Sequence, residues 1–172
     1  DQLLFKLYLF TLMWMPIPAG SNWPWAWILL QMMVFSIATV WLLLHLKGKV
    51  KLNTAFKEAR VILVLLALWL LWVTLQLLPL PVGWLVLFAP HSYELAQQAS
   101  EITSLTFNTA SITLDSQLSF QALMFSFTLV TFFMLSLLLI NSRRRVKWLL
   151  WVIVCSALFQ AVFGSLMTLS GI

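Results

Sequence analysis

The sequence predicts an all-α fold: a polytopic transmembrane helical bundle of about five spanning helices, with one longer extracytoplasmic connection. Three observations carry this expectation. Of 172 residues, 62% are hydrophobic and 9% are charged, whereas a soluble domain carries about 25% charged residues. A soluble fold of this size has too little interior to hide so much apolar surface. Five apolar segments recur near the length a bilayer requires, about 20 residues each. Ten tryptophans accompany them, and tryptophan concentrates at membrane–water interfaces.

The spans read as 3–17, 24–46, 59–80, 117–140 and 146–169, within one transmembrane domain covering 1–172. The first is short, which suits a trimmed start or local thinning of the bilayer. "PAGSN" imitates a signal-peptide cleavage site, but it leads straight into another apolar run. The first segment therefore reads as a retained helix. The chain starts at Asp1 and stops at "LSGI", beside a helix exit. It is expected to be the N-terminal part of a longer protein.

The turn "MPIPAGSNWPWAW" joins the first two spans. Pro16 and Pro18 end one helix because proline lacks the amide donor and clashes with the preceding turn. Gly20 and Ser21 permit the reversal, and Pro24 suits the first turn of the next helix. Trp23, Trp25 and Trp27 can hold that start at headgroup level. "LPLPVG" repeats the pattern of "MPIPAG" at the end of the third span; duplication of a helical hairpin and local proline chemistry explain the likeness equally well.

Basic residues set the orientation. One loop holds Lys47, Lys49, Lys51, Lys57 and Arg60; another holds Arg143, Arg144, Arg145 and Lys147. Two spans separate them, so they share one side, the cytoplasmic one. Lys6 joins them if the first segment crosses. The opposite side carries Glu94, Glu101 and Asp115 and no lysine or arginine. The N-terminus is then cytoplasmic and this chain's C-terminal end extracytoplasmic. The net charge of +5 is a topology signal, not a nucleic-acid footprint.

The connection 81–116 exceeds a simple turn. "PVGWLVLF" is apolar but too short to cross, so it lies in the interface or dips in. In "PHSYELAQQASE", Pro90 suits a first helical turn and Glu94 the positive end of a helix dipole, predicting a short helix. "TSLTFNTASITL" alternates and reads as extended chain. Asp115 or Ser116 then caps the fourth span.

Chemistry-bearing residues are sparse. No acidic or basic residue sits near the middle of a span, which counts against a proton pump, an ion-coupled transporter or a voltage sensor contained in this chain. Ser156, Gln160, Gly164 and Thr168 recur every four residues on one face of the fifth span. Such a face packs on a neighbouring helix or contacts substrate; helix packing is the expected role. Gln31, Gln76 and Gln121 are similar candidates. His45 sits at a cytoplasmic helix end. His91 and Glu94 form either an acid–base pair under a substrate or an ordinary surface pair. Cys155 is the only cysteine, so neither a disulfide within the chain nor a thiolate metal cluster is available. Nothing matches a phosphate-cradling glycine loop, a zinc cluster or a nucleophile–base triad, and no cofactor or metal is expected. The RRRVK run can attract anionic headgroups at about 1 kcal/mol per basic residue, but a topology anchor is sufficient to explain it and is the expected role.

Four stretches resemble, in order, bacterial O-antigen ligase and polymerase-like membrane proteins. "PIPAGSNWPWAW" resembles their "P-x-P-x-G-[SA]-N-R-P-W" hairpin. "LLWVTLQLLPLP" is similar to the third-helix exit. "SITLDSQLSFQALM" is similar to the "hydroxyl-x-hydrophobic-Asp" start of the next helix. "RRRVKWLLWVIVCSALFQAVFGSLMTLSG" is similar to the following cytoplasmic turn and helix. Trp23 stands where the family often has arginine. Tryptophan cannot pair with a phosphate as arginine does, although it can stack on a sugar.

The resemblance implies a glycosyltransferase of the bacterial inner membrane. It would move a glycan from a polyprenyl diphosphate carrier to lipid A core or a growing polysaccharide. The family's basic and histidine catalytic residues sit in a later outer loop that no part of this sequence matches, so no catalytic residue is carried over. Asn22, Trp23, Trp25, His91 and Glu94 are the candidate substrate contacts. Implied partners are membrane lipids and the lipid-linked glycan. A second reading is a non-catalytic membrane subunit packed against other membrane protein subunits. A small channel or transporter ranks behind both, since no polar lumen is evident.

Overall fold

A computed structural model describes residues 2–16, 23–103 and 108–169. It is 82% helical, with eight helices among the described residues. They run α1 (Gln2–Trp14), α2 (Pro24–Leu46), α3 (Thr54–Glu58), α4 (Arg60–Leu77), α5 (Val82–Phe88), α6 (Pro90–Thr103), α7 (Ser116–Leu139) and α8 (Arg143–Leu169). Two short strands, β1 (Leu80–Pro81) and β2 (Thr109–Ala110), pair antiparallel, with Leu80 opposite Ala110 and Pro81 opposite Thr109.

Four helices, α2, α4, α7 and α8, are long and apolar enough to cross a membrane. The chain is thus a multi-pass membrane protein. Of the five expected spans, the first is the shorter one: α1 has 13 residues, a rise of about 20 Å against a hydrocarbon core of about 30 Å. It stops at Trp14, and Met15 and Pro16 form a turn, as Pro16 and the following Pro18 require. The third span is likewise trimmed by proline: α4 ends at Leu77, two residues before Pro79. α8 begins at Arg143 rather than 146, because its arginines form the first helical turn.

The chain divides into two compact units, residues 1–61 with 128–172, and residues 62–127. In the first unit, α1 packs on α2 and on α8. Its buried residues Leu4, Phe5, Tyr8 and Thr11 form one helical stripe. α2 buries Ala26, Leu30, Val34, Ile37 and Trp41, another stripe at steps of three and four. Tyr8 stacks on Phe132 with ring centroids 4.6 Å apart. Its hydroxyl meets that of Ser136 at 2.6 Å, while Ser136 donates to the Phe132 carbonyl.

The end of α2 is a Schellman turn. Gly48 takes φ of +70°, the Gly48 amide donates to the His45 carbonyl, and the Lys49 amide donates to the Leu44 carbonyl. His45 adds a bond from Nδ1–H to the Val50 carbonyl at 2.8 Å and stacks under Trp41. Asn53 then donates from Nδ2 to the carbonyls of Leu137 at 3.3 Å and Ile140 at 3.1 Å. Arg145 donates to the Leu139 carbonyl at 2.6 Å, and its guanidinium lies 5.0 Å from the Phe5 ring centroid. A loop side chain and one from the first turn of α8 thus satisfy the last carbonyls of α7, which no helical amide reaches.

In the second unit, Leu85 of α5 is fully buried, where α5 contacts α6 and both strands. The Val82 amide donates to the Asn108 carbonyl and the Thr113 amide to the Gln76 carbonyl. Ser92 Oγ donates to the Ile112 carbonyl at 2.7 Å. Among the described residues of the connection, two helices are thus tied to short extended segments; the sequence predicts the helix from Pro90 but not that over Val82–Phe88.

Replacing Asn53 with alanine leaves two half-buried carbonyls unpaired, and each such loss costs about 1–3 kcal/mol. SDS-driven unfolding of the purified chain, followed by circular dichroism, should show Asn53→Ala less stable by about 2–6 kcal/mol, the two losses together. Gly48→Ala forces a left-handed conformation on a residue with a Cβ and should cost about 1–2 kcal/mol in the same assay.

Candidate functional site

The sequence candidates fall at separate places. Asn22 lies outside the described residues. Trp23 occupies the cap position before α2, with no side-chain cap bond; its carbonyl accepts the amides of Ala26 and Trp27. Its indole is 58% exposed. Trp25 is also exposed and meets Trp14 edge-on, with centroids 6.4 Å apart. That contact closes the α1–α2 hairpin. An exposed indole beside an aromatic pair suits an interfacial anchor or a stacking surface for a sugar face.

His91 and Glu94 do meet. Nδ1 of the histidine is 3.6 Å from Oε2 of Glu94, one turn apart on α6, and the side chains are 80% and 67% exposed. Both side chains stand open to water on one exposed turn of the helix. The pair fits the surface-pair reading.

The helix beginning at Ser116 is held by a dense set of hydroxyls. The Leu118 amide donates to Asp115 Oδ1 at 2.9 Å, and the Ser119 amide to the Asp115 carbonyl. Asp115 is thus the cap that the sequence offered, with Ser116 as the first helical residue. Around it, Thr113 donates to the Asp115 carbonyl, Ser111 donates to the Thr113 carbonyl, and Thr113 pairs with the Ser119 hydroxyl. The result is a hydrogen-bonded polar collar at the start of a membrane-length helix.

Ser156 is half-buried, and Gln160, Gly164 and Thr168 are exposed. A Cβ added at Gly164 would meet nothing within 4 Å. Thr168 Oγ1 turns back to the Gly164 carbonyl at 2.9 Å, as a threonine in an apolar setting must. None of the described residues of α8 is buried. The packing face is therefore available to lipid or to another helix.

One arrangement escaped the sequence reading. Between α1 and α8 lies a hollow of about 610 Å³, walled by Phe5, Lys6 and Leu9 on one side and Arg144, Arg145 and Trp148 on the other. Three cations converge there, and no carboxylate is among its lining residues. Ser142 stands just before α8, and its Oγ accepts the Arg145 amide as a helix cap. The basic runs were visible in sequence; what was hidden is that a lysine near the start of α1 faces arginines 138 and 139 positions later.

Comparison with protein-family models, with curated proteins and with solved structures finds no match.

Two substitutions separate cap from surface pair. Asp115→Ala removes the helix cap and should cost about 1 kcal/mol in unfolding free energy. His91→Ala should change it by less than about 0.5 kcal/mol, because an exposed pair is worth little.

Proposed function

We propose that this chain is the membrane scaffold of an O-antigen ligase-like glycosyltransferase. It lies in the bacterial inner membrane with its basic loops in the cytoplasm, as the N-terminal part of an enzyme that moves a glycan from a polyprenyl diphosphate carrier to lipid A core or a growing polysaccharide. The observation in its favour is the ordered set of four family-like stretches, from the hairpin at 16–27 to the helix after RRRVK. In support, the hydroxyl-x-hydrophobic-Asp stretch coincides with a formed helix cap at Asp115. The RRRVK stretch likewise coincides with the first turn of a membrane-length helix.

In such a reaction the diphosphate is already a good leaving group. The protein then needs mainly to position the sugar and to stabilise developing negative charge. This chain's part is the first of these tasks. The exposed indoles of Trp23 and Trp25 offer sugar-stacking faces, the Asp115 collar fixes the start of α7, and the apolar faces of α4 and α8 meet lipid, including the carrier's tail.

A second reading, a non-catalytic subunit, draws on α8. Its face of Ser156, Gln160, Gly164 and Thr168 is open, and small and polar residues on one face favour helix–helix association in membranes.

Deleting the gene from its native host separates the two. Loss of glycan attachment or polymerisation, read as a collapsed ladder on a polysaccharide gel, is expected of the glycosyltransferase. An intact ladder, with the chain co-purifying in a larger membrane complex, would select the subunit. Orientation is tested by cysteine labelling in a Cys155→Ser background. Gln98→Cys should react with an impermeant maleimide in spheroplasts, and Lys49→Cys only after lysis; the reverse pattern overturns the topology.

A further inference from the structure

We infer that the hollow between α1 and α8 is a binding site for the phosphate headgroup of an anionic membrane lipid. Lys6 and Arg144 are the recognising cations. Both helices begin at this end and run into apolar sequence, so the wall grades from charge to hydrocarbon along each. On α1, Phe5 and Lys6 precede Leu9; on α8, Arg144 and Arg145 precede Trp148. A headgroup with acyl chains below it has the same gradation. Its phosphate would meet an ammonium and a guanidinium, the latter able to form paired hydrogen bonds to phosphate oxygens. Trp148, 53% exposed, stands where indoles settle at the headgroup level.

The roles within the cluster differ. Arg145 is engaged by the Leu139 carbonyl and the Phe5 ring, so it holds the site's walls and adds to its field. Lys6 and Arg144 are exposed and aim at the hollow from opposite helices. A topology signal explains less. It needs only basic residues on one side of the membrane, which Lys47, Lys49 and Lys51 already supply. It does not require a lysine of α1 and an arginine of α8 to face one another across a hollow of about 610 Å³, a size within the range of ligand pockets. Nor does the site depend on the glycosyltransferase reading, since it uses none of the residues assigned to glycan contact.

The test is native mass spectrometry of the full chain in detergent, titrated separately with phosphatidylglycerol, phosphatidylcholine and inorganic phosphate. Phosphatidylglycerol is expected to bind at least tenfold tighter than phosphatidylcholine. Each basic residue near an anionic headgroup is worth roughly a factor of five. The double variant Lys6→Gln/Arg144→Gln should therefore weaken phosphatidylglycerol about 25-fold, with each single variant near fivefold. The matched control Lys49→Gln/Lys51→Gln removes the same charge from the other loop and should change binding less than threefold. Circular dichroism of each variant should match the parent, since Lys6 and Arg144 are exposed. Equal losses in the double variant and the control would overturn the site in favour of diffuse surface charge. Equal affinity for the two lipids would overturn headgroup recognition. Inorganic phosphate binding as tightly as phosphatidylglycerol would overturn the lipid as the ligand.

Discussion

The last carbonyls of α7 accept hydrogen bonds from Asn53 and Arg145, side chains that reach them from opposite directions along the sequence. A helix ends with carbonyls that no amide of its own can reach. In a chain whose solvent is largely hydrocarbon, leaving them bare is costly. Asn53 brings the loop after α2 to this point, and Arg145 brings the first turn of α8. The same guanidinium covers the Phe5 ring and so draws in the start of α1. Farther along α1, the Tyr8–Ser136 hydroxyl contact and the Tyr8–Phe132 stack repeat the join. Arg145, held by this pairing and lying over Phe5, is also one of the residues that line the hollow between α1 and α8.

Polar groups elsewhere in the molecule obey the same constraint by local means. Thr11, Thr74, Ser165 and Thr168 each turn a hydroxyl back to the carbonyl four residues earlier. Helices α4 and α8 can therefore present almost unbroken apolar faces, since α4 buries only Leu70 and no described residue of α8 is buried. Such faces are the surfaces for lipid. Polar structure that cannot be internalised in a helix is gathered between α4 and α7. There the paired strands and the hydroxyls of residues 111–119 satisfy one another around Asp115.

Much of the architecture was legible because its causes are local. Proline at 16, 79 and 90 marks helix boundaries, through the missing amide and the restricted residue before it. Asp115 followed by a long apolar run announces a cap, and Pro90 with Glu94 a short helix. The Schellman turn at Gly48 came from the structure, although a glycine just after an apolar run is the local signal for one. The length of α1 was the ambiguous element, because its hydrophobicity continues to residue 17 while Pro16 and Pro18 stop the helix sooner. Of the candidate site residues, Trp25 gained a partner in Trp14, His91 and Glu94 met only as an exposed pair, and the α8 face stayed open.

By itself, the sequence determined that this is a multi-pass helical membrane protein, since composition decides which solvent a chain can tolerate and apolar length decides what can cross it. It also determined where most helices start and stop, because caps, prolines and glycines act within a turn of their own position. Only the tertiary structure decided which polar groups meet. Asn53 finds carbonyls 84 and 87 residues away, Tyr8 finds Ser136 at a separation of 128, and Lys6 faces Arg144 across a hollow. Periodicity describes one face of one helix. The pairing of faces depends on the hydrogen bonds and packing that bring the helices together, and no spacing within a single segment encodes that choice.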